Sequence, residues 1–170
     1  MDVDDAIRSR RTHKAYDPAP VERATLEELF ELARWAPNHH LTNPWRFRVL
    51  GPRALAALKQ AAGPENEAKL ERAPTLVAAS VVQGGEDPVA DDEDLAAAAC
   101  ATYIVLLGAH ARGLAGYWRS VPVLASPAGR AAVGLPDDET PIGLLHLGEP
   151  RQEQRVPERA GVEEIAVFLD

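Results

Sequence analysis

The run from Asp92 to Arg112 restricts what this chain can fold into more than any other part of it. It is rich in alanine, apolar on most helical faces, free of proline, and followed by the stop signal Gly113. A helix with so little polar face belongs at the centre of a domain or in an interface between copies. The remaining segments must therefore supply its cover.

Their patterns predict how. A first helix starts after Asp2, with Asp4 and Asp5 suiting its dipole, and runs into the basic cluster Arg8 to Lys14. Thr25-Leu26-Glu27-Glu28 reads as a capping box, with Thr25 as N-cap, opening a helix to about Trp35. Arg46 to Leu50 alternates as a short strand, and Pro52 to Ala62 reads as a helix closed by Gly63. A short helical piece follows around Lys69 to Arg72, and then a buried strand from Thr75 to Val82. Gln83 to Asp91, with two glycines and a proline, is expected to be the most mobile loop and a candidate lid. Beyond the long helix come a strand at Leu114 to Trp118, a helix at Pro127 to Val133 and a strand at Ile142 to Leu147. Val162 to Leu169 is apolar enough to dock on something. This order predicts an α+β fold, a sheet between helices in one domain over residues 1–170.

Composition excludes several classes. A net charge of −8 argues against a general nucleic-acid or anionic-membrane binder. No apolar run is expected to reach the roughly 20 residues of a membrane helix, and the acidic amino terminus does not read as a secretory signal. The one cysteine, Cys100, excludes an internal disulfide and reads as a buried, inert thiol. The cytoplasm is the expected compartment.

Three polar clusters remain for chemistry. Pro37 and Pro44 stiffen the stretch Ala36 to Trp45, which offers two imidazoles, two amides and a hydroxyl between ordered elements. His39 and His40 are adjacent, which is not chelating spacing, and no metal is expected. No GxxxxGK[ST] or GxGxxG occurs, and Ser120 lacks the glycines of a nucleophile turn. Arg10, Arg11 and Thr12 read either as a basic helix end suited to the dipole or as a phosphate site with two guanidinium forks. Trp118, Arg119 and Ser120 follow a strand whose Gly116 is small enough to admit a flat ligand. Two arginine sites and an amide-rich loop suggest a phosphate-bearing aromatic cofactor.

Arg8-Ser9-Arg10-Arg11-Thr12, then Ala36-Pro37-Asn38-His39 with Asn43-Pro44-Trp45-Arg46-Phe47, then Gly113 to Ser120 form an ordered set that resembles the nitroreductase family. The likeness covers residues 3 to 150 and is greatest to its short single-domain bacterial members. It implies a nitroreductase-like sandwich, with a central mixed or antiparallel sheet flanked by helices. It also implies a domain-swapped type of homodimer built on the long helix, with FMN at the subunit interface. Arg10, Arg11 and Thr12 would hold the phosphate and ribityl chain, His39 and Asn43 would come from the opposite subunit, and Trp118, Arg119 and Ser120 would complete the contacts. Thr12 and Asn43 stand where serine and glutamine are common, so the hydroxyl is kept and the amide reach is shorter. Arg155 and Arg159 read as surface charge, with a phosphate contact, as in some relatives, the alternative. The implied activity is a ping-pong FMN oxidoreductase, taking hydride from NADH or NADPH and reducing a nitroaromatic or quinone. The flavin carries the chemistry, with no catalytic side chain assigned and His40 only a candidate proton source. The alternatives are an FMN carrier or redox sensor without turnover, and a flavin enzyme restricted to one metabolite.

Overall fold

Four strands, β1 (Trp45–Val49), β2 (Thr75–Val82), β3 (Ala115–Arg119) and β4 (Glu139–Gly148), form one antiparallel sheet in the order β1-β2-β4-β3. The computed structural model describes residues 1–169. β2 and β4 are central, and the β-branched and apolar run of β2 is buried over nearly its whole length. Helices α1 (Val3–Ser9), α2 (Arg23–Ala33), α3 (Pro52–Ala62), α4 (Pro64–Leu70), α5 (Pro88–Ala111), α6 (Pro127–Val133) and α7 (Val162–Ile165) complete the chain. One face of the sheet packs Val77, Val81, Leu145 and Leu147 against α2 and α5. The other packs Leu76, Ala78 and Leu144 against Leu58, Leu70 and Val133 of α3, α4 and α6. The α+β architecture with helices on both faces is as the sequence predicts.

α5 fills the central role. Ala97, Ala98, Ala101, Val105 and Ala109 are buried against β1, β2, β3 and α2. By length and composition it reaches what a membrane-spanning helix needs, contrary to the expectation that no run would. Its packing inside the fold marks it as a core helix. Its opposite stripe stays open: Leu95 and Tyr103 are exposed, and so is Cys100, which corrects the expectation of a buried thiol. The stripe follows helical periodicity, so one alanine-rich sequence yields a buried face and a bare one.

Several boundaries move for local reasons. α2 starts at Arg23 after N-cap Glu22, whose side chain makes no cap bond, so the capping box at Thr25 does not form. Thr75 Oγ1 accepts from Val21 N at 2.8 Å, tying the chain to β2 and letting the helix begin at once. Glu28 is then free to pair with Arg112 Nε at 3.0 Å. α4 begins directly at Pro64, since Gly63 at φ 78° turns the chain and the proline presets the next helix. The Gln83 to Asp91 loop is shorter than expected and is held rather than free. Asp87 caps α5 by accepting from Val89 N at 3.0 Å, and Gln83 Nε2 donates to Asp91 O at 3.0 Å. The segment from Val162 to Leu169 docks on nothing among the described residues: Val162, Ile165, Val167, Phe168 and Leu169 are all exposed.

Two features lock the sheet that carries the site. Arg48 donates to both Glu139 oxygens at 2.6 and 2.8 Å, and Ser80 Oγ also donates to that carboxylate. Burial alone would raise the Glu139 pKa, but the bonds from Arg48 and Ser80 prevail and hold it below the usual carboxylate range. Opposite Ala79 and Ser80, β4 carries a bulge: Ala79 faces Gly143 and Ser80 faces Pro141, leaving Ile142 unpaired in the ladder.

Candidate functional site

The first cluster forms where α1 ends. Asp2 caps that helix through Asp5 N at 2.8 Å, and the chain leaves it extended at Arg10. Thr12 then bridges in parallel to Gly116 of β3, which sets the basic segment beside the sheet edge. Arg10 lies over the Tyr103 ring of α5, with its guanidinium carbon 5.8 Å from the centroid. One Arg11 nitrogen donates to Arg8 O and Arg10 O at 2.6 and 2.9 Å. Ser9 Oγ meets His110 Nε2 at 2.7 Å. Burial first, then the neighbouring positive groups, lowers the pKa of both His13 and His110, so neutral rings prevail among the arginines.

The tail returns to this place. Asp17 N donates to Glu149 O at 3.0 Å and Arg151 N to Ala15 O at 3.3 Å, so residues after Pro150 run alongside the basic segment. Val156, Pro157 and Arg159 thereby close a cleft of about 370 Å³ with Arg8, Arg10, Arg11 and Tyr103. Arg10 Nε, Arg11 Nε, His13 Nδ1 and Gln154 Nε2 are buried without a hydrogen-bond partner. Guanidinium and amide nitrogens of this kind can only donate, so Arg10 Nε, Arg11 Nε and Gln154 Nε2 lack acceptors among the described residues. A buried donor left unmade costs about 1–3 kcal/mol.

The second cluster is the loop between α2 and β1. His40, Leu41 and Asn43 all have left-handed backbones, with φ of 51°, 54° and 48°. A non-glycine residue there costs roughly 1–2 kcal/mol, so something must hold the loop. Asn38 Oδ1 accepts from Asn43 N at 2.9 Å and Asn43 Nδ2 donates to Leu41 O at 2.6 Å. His39 Nδ1 lies 2.5 Å from Glu93 Oε2, and Thr42 Oγ1 donates to Asp94 Oδ1 at 2.6 Å, both on α5. The loop is thus clasped from within and from the helix beneath it.

The third cluster is the end of β3. Trp118 Nε1 donates to the carbonyl of the bulged Ile142 at 3.0 Å. An indole has one donor, so Trp118 has none left for a ligand. The indole lies against Gly143, where an added Cβ would stand 2.3 Å from Nε1. Gly116 is occupied from the other side: a Cβ there would meet Leu106 Cδ2 at 2.8 Å. Its smallness serves the packing of α5 on β3, which corrects the expectation that it admits a flat ligand. Arg119 lines a separate cavity of about 120 Å³ with Asn66, Leu70 and Val121 to Val123. Ser120 is exposed.

Within one chain, then, Arg10, Arg11 and Thr12 come together, while Arg119 and the His39 loop lie elsewhere. Glu93, under His39, and Tyr103, under Arg10, are separated by about 15 Å of helix. A ligand touching both must be long, or the two clusters must come from different copies.

The sequence model of the nitroreductase family matches residues 7–149. The chain belongs to that family. Among curated relatives, the YdjA protein of Escherichia coli (strain K12) is 31% identical over 85% of this chain and 86% of its own. The YfhC protein of Bacillus subtilis (strain 168) is 29% identical over 93% and 89%. The names of both assign them NAD(P)H nitroreductase activity. A nitroreductase-like protein from Bacillus cereus superposes with a TM-score of 0.89 at 23% identity, covering 100% of this chain and 97% of the other. One from Exiguobacterium sibiricum 255-15, solved in complex with FMN, gives 0.84 at 18% identity over 99% and 98%. At such identities these two structures show a shared fold.

As a nitroreductase-family chain, it carries site features that reading the sequence missed. Arg159 joins the Arg10 cleft, although it reads as surface charge in the sequence, and His13 Nδ1 and Gln154 Nε2 are buried without partners. The available signal was the Gly148-Glu149-Pro150 turn, which sends the tail back toward residues 15–17. Glu93 and Asp94 look like ordinary acids near the start of the long helix until the loop is seen on top of them.

Proposed function

We propose that residues 1–170 act as one FMN-binding domain of an oxidoreductase that draws on NADH or NADPH and reduces an electron-poor acceptor such as a nitroaromatic or quinone. The observation that carries this reading is the pair of buried, unpartnered Nε donors on Arg10 and Arg11, two residues that line a basic cleft. A phosphate would supply the acceptor oxygens they lack, bidentately for guanidinium groups. The structural neighbours described as FMN- and NADPH-dependent, or solved with FMN, support that choice of cofactor and donor. When bound, the flavin supplies the hydride chemistry.

The chain's own groups bind and orient. Arg10 and Arg11 neutralise the phosphate, the Thr12 hydroxyl adds a contact, and Arg159 closes the cleft. Arg119 lies about 10 Å further along β3 than the Thr12–Gly116 bridge, with Ser120 just beyond the strand. That offset supports a role toward the ribityl or ring end, with Trp118 contributing its ring face. His39 and Asn43 act from a second copy, which the helix-length separation from Arg10 supports. The bare stripe of α5 and the apolar tail support a homodimer as the working unit. A cytoplasmic setting accompanies this reading.

The test is an absorbance spectrum of the protein loaded with FMN, before and after anaerobic NADPH and then NADH. Bleaching of the flavin bands is expected and names the donor. Bound flavin that stays oxidised with both would replace the reductase reading with a carrier or sensor. Arg10→Ala is expected to weaken FMN binding roughly 10- to 150-fold, from about 1.5–3 kcal/mol of charge-assisted bonding. Unchanged affinity would remove the phosphate assignment.

A further inference from the structure

The loop that bears His39 and Asn43 is tied to α5 by two acids adjacent in sequence. Glu93 Oε2 meets His39 Nδ1 at 2.5 Å and Asp94 Oδ1 accepts from Thr42 Oγ1 at 2.6 Å. A carboxylate can only accept, so the proton between His39 and Glu93 belongs on Nδ1. Neutral imidazole carries one N–H, and Nε2 is then the ring nitrogen with a free lone pair. The ring is further fixed by stacking on His40, with centroids 3.9 Å apart and planes 16° apart. Adjacent helix positions point about 100° apart, so the two acids grip the loop at separate points. A single anchor would let His40, Leu41 and Asn43 relax from their left-handed backbones.

We propose that Glu93 and Asp94 are positioning residues for the cofactor loop, holding His39 as its Nδ1–H tautomer so that Nε2 is the nitrogen offered to the flavin. The inference rests on the FMN reading above and adds a defined hydrogen-bond polarity to it: in its neutral form, His39 accepts from the ligand and does not donate. Asp94 keeps Thr42, and with it Asn43, in register beside that ring.

The test combines long-range proton–nitrogen NMR of labelled imidazoles with FMN titrations followed by flavin fluorescence. Neutral His39 should be protonated at Nδ1 in the wild-type protein, with or without FMN. Glu93→Ala should move the proton toward Nε2 and weaken FMN about tenfold. Glu93→Gln, whose amide oxygen can still accept from Nδ1, should restore the wild-type tautomer and most of the affinity. Asp94→Ala should weaken FMN without changing the His39 tautomer. A wild-type His39 protonated at Nε2, or Glu93→Ala binding FMN as tightly as wild type, would overturn the proposal. Failure of the underlying reading has a different signature: FMN affinity that does not respond to Arg10→Ala.

Discussion

His146 is 1% exposed on the central strand β4, and neither ring nitrogen has a partner. Its ring lies 5.6 Å from that of Tyr117, and burial, assisted by Arg119 and Arg72, lowers its pKa from 6.5 to about 4. The folded protein therefore keeps His146 neutral where the unfolded chain would protonate it. Unfolding is favoured by protons over that interval, so stability is full above about pH 6.5 and falls as pH drops to about 4. The loss amounts to about 3 kcal/mol. His146→Leu should flatten this part of the profile, checked by urea unfolding at pH 7 and pH 5. His13 and His110 have lowered pKa values for the same first cause, so a shallow slope should remain in the variant. An unchanged slope would assign the acid sensitivity to groups other than His146.

At the scale of elements, β3 and β4 are fastened by a side chain and a missing one. The bulge at Ile142 turns a carbonyl toward Trp118, and Gly143, at φ 152°, leaves room for the indole to reach it. Gly143→Ala should cost about 3 kcal/mol, combining a backbone region reserved for glycine with displacement of the tryptophan. Thermal melts would measure the loss. A red shift in tryptophan emission would report that Trp118 had left its site, and a wild-type spectrum would contradict this account. The His39 loop is the opposite case: its three left-handed residues are not glycines, so its shape is imposed by Asn38, Glu93 and Asp94.

For the whole molecule, the exposed apolar surface is organised. Leu95, Cys100 and Tyr103 form one stripe of α5, while Ile165, Val167, Phe168 and Leu169 project from the tail. Organised apolar surface of this kind marks an interaction site. Light scattering should give twice the 18.3 kDa chain mass. Cys100→Arg, on the stripe but outside the Arg10 cleft, should shift the mass toward one chain and reduce FMN retention together. A wild-type mass of one chain at every concentration would remove the shared-site reading.

The sequence by itself determined the elements whose cause is local. The β-branched run of β2 and the glycines after α3 and α6 fixed those elements nearly to the residue, and the alanine-rich pattern of α5 fixed its end, while its start lies a turn earlier at Pro88. The ordered motifs likewise determined the family, because Arg10-Arg11-Thr12, Asn38-His39 and Trp118-Arg119-Ser120 are chemical patterns that spacing alone preserves. What joins what was decided only by tertiary structure. Thr25 lost its capping role because Thr75, fifty residues away, claims Val21 N. Arg159 lines the Arg10 cleft because the tail folds back, and Arg119 stands apart from Arg10 because a strand keeps its residues in line. Hydrogen bonds and buried donors are pairings between distant positions, and a chain read in order displays only one partner at a time.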